Sequence, residues 1–354
     1  MRILKYILLL LILIVVAGLV YFSTLSGAYQ VSRSKVIHLE KSTVFQYIND
    51  YRNWEDWCAL KDFDSSVKYY YSDKTIGKGS TFEWKGSSFS GKLKTIYSKE
   101  NDSITQKQII NNVEANAYIT LKDTLNGTKI VWNCNGTLNF WGKIKSFFIE
   151  NQEDKIGTVF EKSLHKLQDV LHHEISRYSI EENGVVALPK EYFLKQKVEI
   201  SPENFYSNLQ HLIPDLENFA VTNSISSGQP SFINYLSNNI SKNPLRLEIG
   251  VPIKEVIFTS QESQFTCDSI PAHHAIKITL KGDYSHTRKA WKKALDYLLK
   301  NKLEASDKLN YREVYVKKSS DIKNPSEWLT YIYIPLAQFN RANIVASDTQ
   351  SSGE

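Results

Sequence analysis

The chain of 354 residues contains one short phrase almost twice. Residues 247–253 (LEIGVPI) and 330–336 (TYIYIPL) both alternate aliphatic with other side chains, and both stop at a Pro that an aliphatic residue follows. Alternation is the period of a half-buried strand, and Pro, which lacks an N–H, ends a ladder. A strand, a helix and another strand are predicted before each copy. The second half is therefore predicted to be a duplicated strand–helix–strand–strand unit, whose inner seam is a natural ligand cleft.

The two copies are predicted from strand alternation, helical spacing and the turn residues between them. The first copy has a strand at 193–200, a helix at about 202–212 and strands near 230–236 and 245–251. The second has a strand at 274–281, a helix at 285–301 and strands at 311–317 and 328–334. The whole chain is divided into an anchor at 1–28, a first domain at 29–178, a second at 179–340 and a disordered tail at 341–354.

Composition excludes several classes of protein. The net charge of +5 is small, and the lysines and glutamates of the chain are interspersed rather than grouped into a basic stripe. We therefore expect no nucleic-acid partner. The cysteines (Cys58, Cys134 and Cys267) are widely spaced, and the paired histidines are adjacent in sequence rather than one helical turn apart. Neither pattern has the spacing of metal ligands. We therefore expect no metal and no cofactor.

The N-terminus predicts attachment to a membrane. Residues 6–22 carry no charge and are dominated by Leu, Ile and Val, and the apolar stretch taken as 3–22 is long enough to span a bilayer. A cleaved signal peptide is the competing interpretation, because small residues at 26–28 offer a cleavage point. Its apolar region usually has about 7–15 residues, so the longer stretch favours an uncleaved anchor. Arg2 and Lys5 place the N-terminus in the cytoplasm and the soluble domains on the extracytoplasmic side.

Residues 29–177 are predicted to form one α+β block. An N-terminal strand leads into a short helix, six strand-like runs separated by turn signals follow, and a long amphipathic helix at about 151–177 closes the block. This order predicts a curved antiparallel sheet that grips a helix. The only acid that stands out as a nominee for chemistry is Glu83, which a surface position explains better.

Three stretches of this block resemble the START-like, polyketide-cyclase (SRPBCC) superfamily. They are residues 53–57 (NWEDW), the glycine-rich entry at 77–84 and residues 160–167 (FEKSLHKL). The resemblance implies an apolar cavity between sheet and helix that holds a hydrophobic molecule. The aromatic residues that could line it are Trp54, Trp57, Trp84 and Trp132, with Phe140 and Trp141 beside them. Aromatic residues in a sheet also serve as plain core, and that alternative stays open.

Residues of the second half resemble the GyrI-like effector-binding domain, which also occurs in AraC-type regulators. The resemblance covers about 180–340, and the stretches that match are residues 250–252 (GVP), 270–272 (IPA), 282–284 (GDY), 313–315 (EVY) and 333–336 (YIPL). The resemblance implies a small-molecule cleft with Glu313 at its centre, Tyr315 beside it and Tyr284 at its rim. Asn234 and Tyr235 fall at the equivalent place of the first copy, and Trp291 is expected to belong to the core. No helix-turn-helix fits beside the domain, which argues against transcription.

Strand parity gives the same candidate site. Tyr311, Glu313 and Tyr315 share one face of their strand, and Tyr331 and Tyr333 share one face of the next. We expect the aliphatic faces of these strands to pack on the helices, so that four Tyr rings surround one carboxylate in the cleft. Such a surface suits a cationic aromatic molecule, because ring faces attract cations and the acid supplies the opposite charge. A solvated face is the alternative.

The sequence therefore predicts a membrane-anchored α+β protein that binds small molecules. The first domain would hold a hydrophobic molecule, and the second a smaller, cationic aromatic one. A hydrolase that uses Glu313 with Tyr315 is an alternative, because burial can raise the pKa of a Glu until it acts as a general base. A non-catalytic scaffold with two vestigial cavities is a third reading of the same residues.

Overall fold

A computed structural model describes residues 2–111, 113–149, 151–202, 205–237, 243–259 and 263–337. The predicted disordered tail, 341–354, lies outside this range. The chain divides between Leu171 and His172, within its longest helix, into two compact units. Each unit has one antiparallel sheet, so the mixed α+β class predicted from the sequence is confirmed. The domain boundaries at 28/29, 178/179 and 340/341 stay predictions.

Seven α-helices lie in the described residues. They are α1 (Arg2–Thr24), α2 (Lys41–Asn49), α3 (Trp54–Trp57), α4 (Phe140–Phe148), α5 (Gln152–Ser176), α6 (Phe205–Thr222) and α7 (Thr287–Lys300). By length and composition, α1 could cross a membrane, either as an anchor or as a signal sequence. Helix α4 has no counterpart in the sequence-based prediction, and α6 continues through Pro214 well beyond its predicted end.

The first unit is built on a seven-stranded sheet in the order β1-β7-β6-β5-β4-β3-β2. Its strands are β1 (Ala28–Ile37), β2 (Lys68–Tyr71), β3 (Thr81–Lys85), β4 (Ser90–Lys99), β5 (Ser103–Ile110), β6 (Val113–Thr124) and β7 (Gly127–Thr137). The buried stripe of α5, which includes Phe160, Leu164 and Leu167, belongs to the same core as the inward side chains of the sheet. The predicted six-strand meander and its closing helix are therefore present.

The second unit has an eight-stranded sheet in the order β12-β9-β11-β10-β14-β15-β13-β8. Its strands are β8 (Ser179–Leu188), β9 (Glu191–Ile200), β10 (Phe232–Tyr235), β11 (Leu245–Ile253), β12 (Thr266–Ile270), β13 (His273–Lys281), β14 (Tyr311–Lys317) and β15 (Leu329–Pro335). The order is symmetric about the antiparallel pair β10–β14: β9, β11 and β10 on one side correspond to β13, β15 and β14 on the other. The duplication predicted from the sequence is therefore visible in the topology.

Parts of this sheet have no counterpart in the strands predicted above. Ser179–Leu188, at the start of the predicted second domain, forms the edge strand β8, and β12 forms the opposite edge. Pro252 does not end its strand, because it still lies opposite Phe193 within the β11–β9 register. Pro335 does end β15, as predicted.

A close packing between β10 and β11 lies beside the seam between the two copies. Gly250 of β11 lies directly opposite Phe232 of β10, and a Cβ at Gly250 would overlap the Phe232 ring. That ring cannot retreat freely, because the guanidinium of Arg312 lies 3.8 Å from its centroid and the Phe193 ring lies 5.2 Å away. Only glycine therefore fits at this position without displacing its neighbours.

We predict that Gly250→Ala destabilises the second unit by about 1–3 kcal/mol, the usual cost of overpacking a filled interior. Urea unfolding of the full chain in detergent, followed by tryptophan fluorescence, measures the effect. Ser269→Ala in the exposed part of β12 is the control and should leave the unfolding midpoint unchanged. Equal midpoints for Gly250→Ala and the wild type would show that the packing of Gly250 on Phe232 is looser than the structure indicates.

Candidate functional site

Glu313 lies at the centre of the second unit's core. Its strand, β14, runs between β10 and β15, with Ile233 on one side of Glu313 and Ile332 on the other. The side chain is fully buried, at 0% exposure. The Glu313 side chain points to the side of the sheet on which α7 packs. The indole of Trp291 on that helix donates a hydrogen bond to the Glu313 carboxyl group.

Three hydrogen-bond donors converge on this carboxyl group. Oε1 accepts from the Tyr235 hydroxyl at 2.7 Å and from the Trp291 indole N–H at 2.6 Å. Oε2 accepts from the Tyr315 hydroxyl at 2.8 Å. The first donor comes from the first copy of the repeat and the other two from the second, so the duplication itself assembles the site. Buried polar groups require such partners, and this carboxyl has two on Oε1 and one on Oε2.

Among the described residues, no opposite charge lies beside this carboxyl group. No ion pair involves Glu313 among the residues that the structure describes. Burial raises its pKa above the ordinary value for Glu, and the hydrogen bonds from Tyr235, Trp291 and Tyr315 oppose that rise. The site is therefore an isolated acid whose ionised form is stabilised by neutral donors alone.

Aromatic rings form the walls around the acid. The Trp291 ring stacks on Tyr311 at 5.8 Å and meets Tyr235 edge-on at 5.5 Å. Tyr284 meets Tyr315 edge-on at 5.6 Å, and burial raises the pKa of the Tyr284 hydroxyl. Four predicted residues (Tyr235, Tyr284, Tyr311 and Tyr315) therefore lie around Glu313 as expected from the sequence, although their binding role stays a prediction.

Trp291 was assigned to the core alone, and it is both a core residue and a direct partner of Glu313. One signal in the sequence could have indicated this. Trp291 follows the Gly-Asp-Tyr entry of the helix by about two turns, which places its indole above the neighbouring strands. A buried indole N–H needs an acceptor, and an acid on the adjacent strand is the obvious one.

The predicted position of Tyr331 and Tyr333 is wrong. In the β14–β15 register, Tyr331 lies opposite Val314 and Tyr333 opposite Arg312, so both tyrosines belong to the face away from Glu313. The predicted packing of β14 is also reversed. Its Tyr and Glu face is buried under the helices, whereas Val314 and Val316 are only half-buried. Parity grouped the residues within each strand correctly, but it did not determine which face of β14 points inward.

The face away from Glu313 carries a polar pocket of about 170 Å³. Arg312 donates to Asn234 at 3.0 Å and to Glu191 at 2.9 Å, which compensates its charge. Asn234 in turn donates to Glu248 at 3.1 Å. Tyr333 also lines this pocket, and burial raises its pKa to about 12. This pocket, unlike the Glu313 cluster, contains ion-paired charges.

The first unit contains a larger cavity of about 440 Å³. Its wall is mostly apolar, and its largest inward side chains are Trp54, Phe82, Trp84, Trp132 and Phe160. The Trp132 and Phe160 rings stack at 3.9 Å, which joins the sheet to α5. The indole N–H groups of Trp84 and Trp132 are buried and donate to no group of the described residues.

Two of the aromatic residues predicted for the cavity, Trp57 and Phe140, do not line it. Trp57 is fully buried and packs between Trp54, at 4.6 Å, and Trp132, at 5.6 Å, behind the wall. For this residue the plain-core alternative is the correct one. Trp54, Trp84 and Trp132 do line the cavity, and Trp141 of α4 lines it as well.

The second unit matches a known family. Residues 192–337 match the family model described as the GyrI-like small molecule binding domain. This part of the chain is therefore a GyrI-like small-molecule-binding domain, as the sequence resemblance implied, within slightly narrower limits than 180–340. No curated protein matches the chain.

Solved structures also show likeness to this chain. The EcmrR C-terminal domain is 17% identical and covers 46% of this chain and 99% of its own, with a TM-score of 0.38. An EcmrR–DNA complex is 17% identical and covers 55% and 76%, with a TM-score of 0.39. Protein CV1439 from Chromobacterium violaceum is 10% identical and covers 40% and 96%, with a TM-score of 0.32. At these scores and identities we draw no functional conclusion from them, including from the DNA of the second complex.

The raised pKa of Glu313 predicts a pH-dependent stability. The folded protein holds the proton more firmly than the unfolded chain, whose Glu pKa is about 4.3. Below the unfolded-chain pKa, protonated Glu313 therefore makes its full contribution to the free energy of unfolding. This contribution is lost as the pH rises through the folded-state pKa. We predict that the unfolding free energy of the wild type falls relative to Glu313→Gln as pH rises from 4 through the neutral range. Urea midpoints of the two proteins at matched pH measure this difference. A wild-type midpoint that rises relative to that of Glu313→Gln as the pH increases would contradict the prediction.

Proposed function

We propose that this protein is a membrane-anchored small-molecule-binding protein whose second unit binds an organic cation at Glu313. The observation that carries the proposal is a fully buried carboxyl group with three neutral donors, inside a match to the GyrI-like small molecule binding domain. No counter-charge for it lies among the residues that the structure describes. A ligand cation supplies the charge that the described residues do not provide. The rings of Trp291, Tyr311 and Tyr315 offer aromatic faces for the same cation.

The ligand must displace part of this packed cluster in order to enter. A narrow cavity of about 20 Å³ lies between α6 and the rings of Tyr284 and Tyr315. Pro214, in the wall of this cavity, lacks the N–H that would complete the helical ladder of α6. We infer that the ligand enters here, and that Tyr315 gives up its hydrogen bond to Glu313 when it does.

Titration with a panel of cationic and neutral aromatic dyes tests the site. We predict that Glu313→Gln weakens the binding of cationic dyes by about ten- to a hundredfold, because a charge-assisted contact is worth about 1.5–3 kcal/mol. Neutral dyes should bind both proteins equally. The fold should survive, since the Gln amide can accept from Trp291 and donate to the Tyr315 oxygen.

Glu248→Gln is the matched control, because Glu248 is also a buried acid of this sheet but lies on the opposite face, where Lys195 pairs with it at 3.1 Å. This variant should bind every dye as the wild type does. A loss confined to Glu248→Gln would place the ligand in the polar pocket instead. Turnover of an electrophilic ester that disappears in Glu313→Gln would support the hydrolase alternative.

For the first unit, we propose a START-like domain that holds a mostly apolar molecule in its 440 Å³ cavity. The antiparallel sheet, the long closing helix and the aromatic wall support this proposal. The two unpaired indole N–H groups in the wall favour a ligand that also carries a hydrogen-bond acceptor, since a buried donor without a partner costs about 1–3 kcal/mol.

Filling the cavity tests this second site. Ala115 lines it and is almost fully buried, so Ala115→Phe adds a ring to the cavity space. We predict that the wild type co-purifies with an apolar molecule detectable by native mass spectrometry and that Ala115→Phe loses it. Glu313→Gln, whose substitution lies in the second unit, is the control and should retain the molecule. Retention by Ala115→Phe would contradict the assignment.

A further inference from the structure

The C-terminal end of α1 packs against α4. The ring of Phe22 lies 5.5 Å from Phe147 and 5.6 Å from Phe148. Lys143 donates to the carbonyl of Leu25 at 2.6 Å, just beyond the last turn of α1. A cation at this end compensates the partial negative charge of the helix terminus. Helix α4 is therefore fixed at the point where the apolar helix ends.

The length of α1 sets the depth of this contact. The apolar span, Ile3–Thr24, has 22 residues. At 1.5 Å per residue it is about 33 Å long, close to the roughly 30 Å thickness of a bilayer's hydrocarbon core. When α1 spans a bilayer, its end and the helix packed against it must lie at the level of the lipid headgroups.

Helix α4 has the composition of a helix that lies in this layer. Three of its large apolar side chains are exposed, Trp141 at 72%, Phe147 at 61% and Phe148 at 69%, and so is Ile149, just after the helix, at 74%. Residues 138–149 contain two lysines and no acid. Aromatic residues with lysines are typical of interfacial helices, and a contiguous exposed apolar patch requires a partner.

The same helix forms one wall of the first unit's cavity. Trp141, Gly142, Lys145 and Ser146 of α4 line it, together with the buried aromatic residues of the sheet. Since Trp141 is both strongly exposed and part of the lining, it marks a mouth of the cavity. The mouth and the exposed apolar side chains thus belong to a single helix.

We propose that α4 lies in the headgroup layer of the membrane that α1 spans, so that the cavity mouth at Trp141 opens onto the bilayer. The cavity ligand is then an apolar molecule that enters from the bilayer rather than from water. The inference rests on the proposed anchor and cavity, and it adds the surface, its partner and the direction of entry. The bilayer is favoured over a protein partner because α4 packs against the end of α1, the helix that is long enough to span a bilayer.

Site-directed fluorescence of the full chain in phosphatidylcholine–phosphatidylglycerol vesicles tests the proposal. Cys267→Ser removes the one cysteine that is not buried. In this background, Ile149→Cys or Trp141→Cys adds one accessible cysteine, which carries an environment-sensitive nitrobenzoxadiazole label. The matched control is Leu125→Cys, at an exposed apolar residue beyond the far end of the β1–β7 pair. Ten residues of β1 separate the two ends, about 33 Å of strand.

We expect the labels at Ile149 and Trp141 to emit at shorter wavelength than the label at Leu125. Lipids with a nitroxide near the headgroup should quench them, and should not quench the label at Leu125. Water-like emission at both α4 positions overturns the proposal. Short-wavelength emission that no nitroxide lipid quenches also overturns it, because a protein or a second copy then covers α4.

An alkaline carbonate wash of the same vesicles separates this inference from the proposed anchor. Protein that stays with the vesicles while its α4 labels remain in water retains the anchor and excludes the interfacial helix. Protein that leaves the vesicles excludes the anchor itself. Two label positions are used so that a local disturbance from one substitution cannot decide the result.

Discussion

The antiparallel pairing of β10 with β14 is the contact on which the second unit depends. It joins the two copies of the repeat and brings Tyr235 from one copy beside Glu313 of the other. Without this register the buried carboxyl would lose a donor, and an unsatisfied buried acid is among the most costly groups in a protein. The seam that holds the sheet together is therefore also the position of the candidate site.

The sequence predicted most elements of both sheets and the duplicated topology, because alternation and turn residues are local signals. It did not predict which face of β14 points inward. Val314 and Val316 suggested that their own face is buried, yet the opposite face is buried because donors from a different strand and from α7 satisfy Glu313. These hydrogen bonds come from residues that are distant in sequence from Glu313. The alternation of side chains along a single strand does not reveal them. Helix α4 was missed for a related reason, since its apolar side chains do not pack in the core of the unit.

The two units offer different chemistry to small molecules. The cavity of the first is large, aromatic and mostly apolar, and burial of apolar surface would supply most of the affinity there. In the second unit, the cavity beside Tyr315 has a volume of only about 20 Å³, and affinity at Glu313 would come from one charge and from ring faces. A ligand of the first unit must fit the shape of the cavity and reach its mouth. A ligand of the second unit needs a positive charge whose attraction to Glu313 offsets the cost of displacing the packed side chains.

A crystal structure of the protein with a bound cationic aromatic dye tests the central claim most directly. The account predicts the dye's cationic group within about 4 Å of the Glu313 carboxylate, the distance of a close ion pair. It also predicts that the Tyr315 hydroxyl has moved away from its 2.8 Å contact with that carboxylate. A dye bound beside Glu248 and Arg312 on the opposite face, with the Glu313 hydrogen bonds intact, would contradict it.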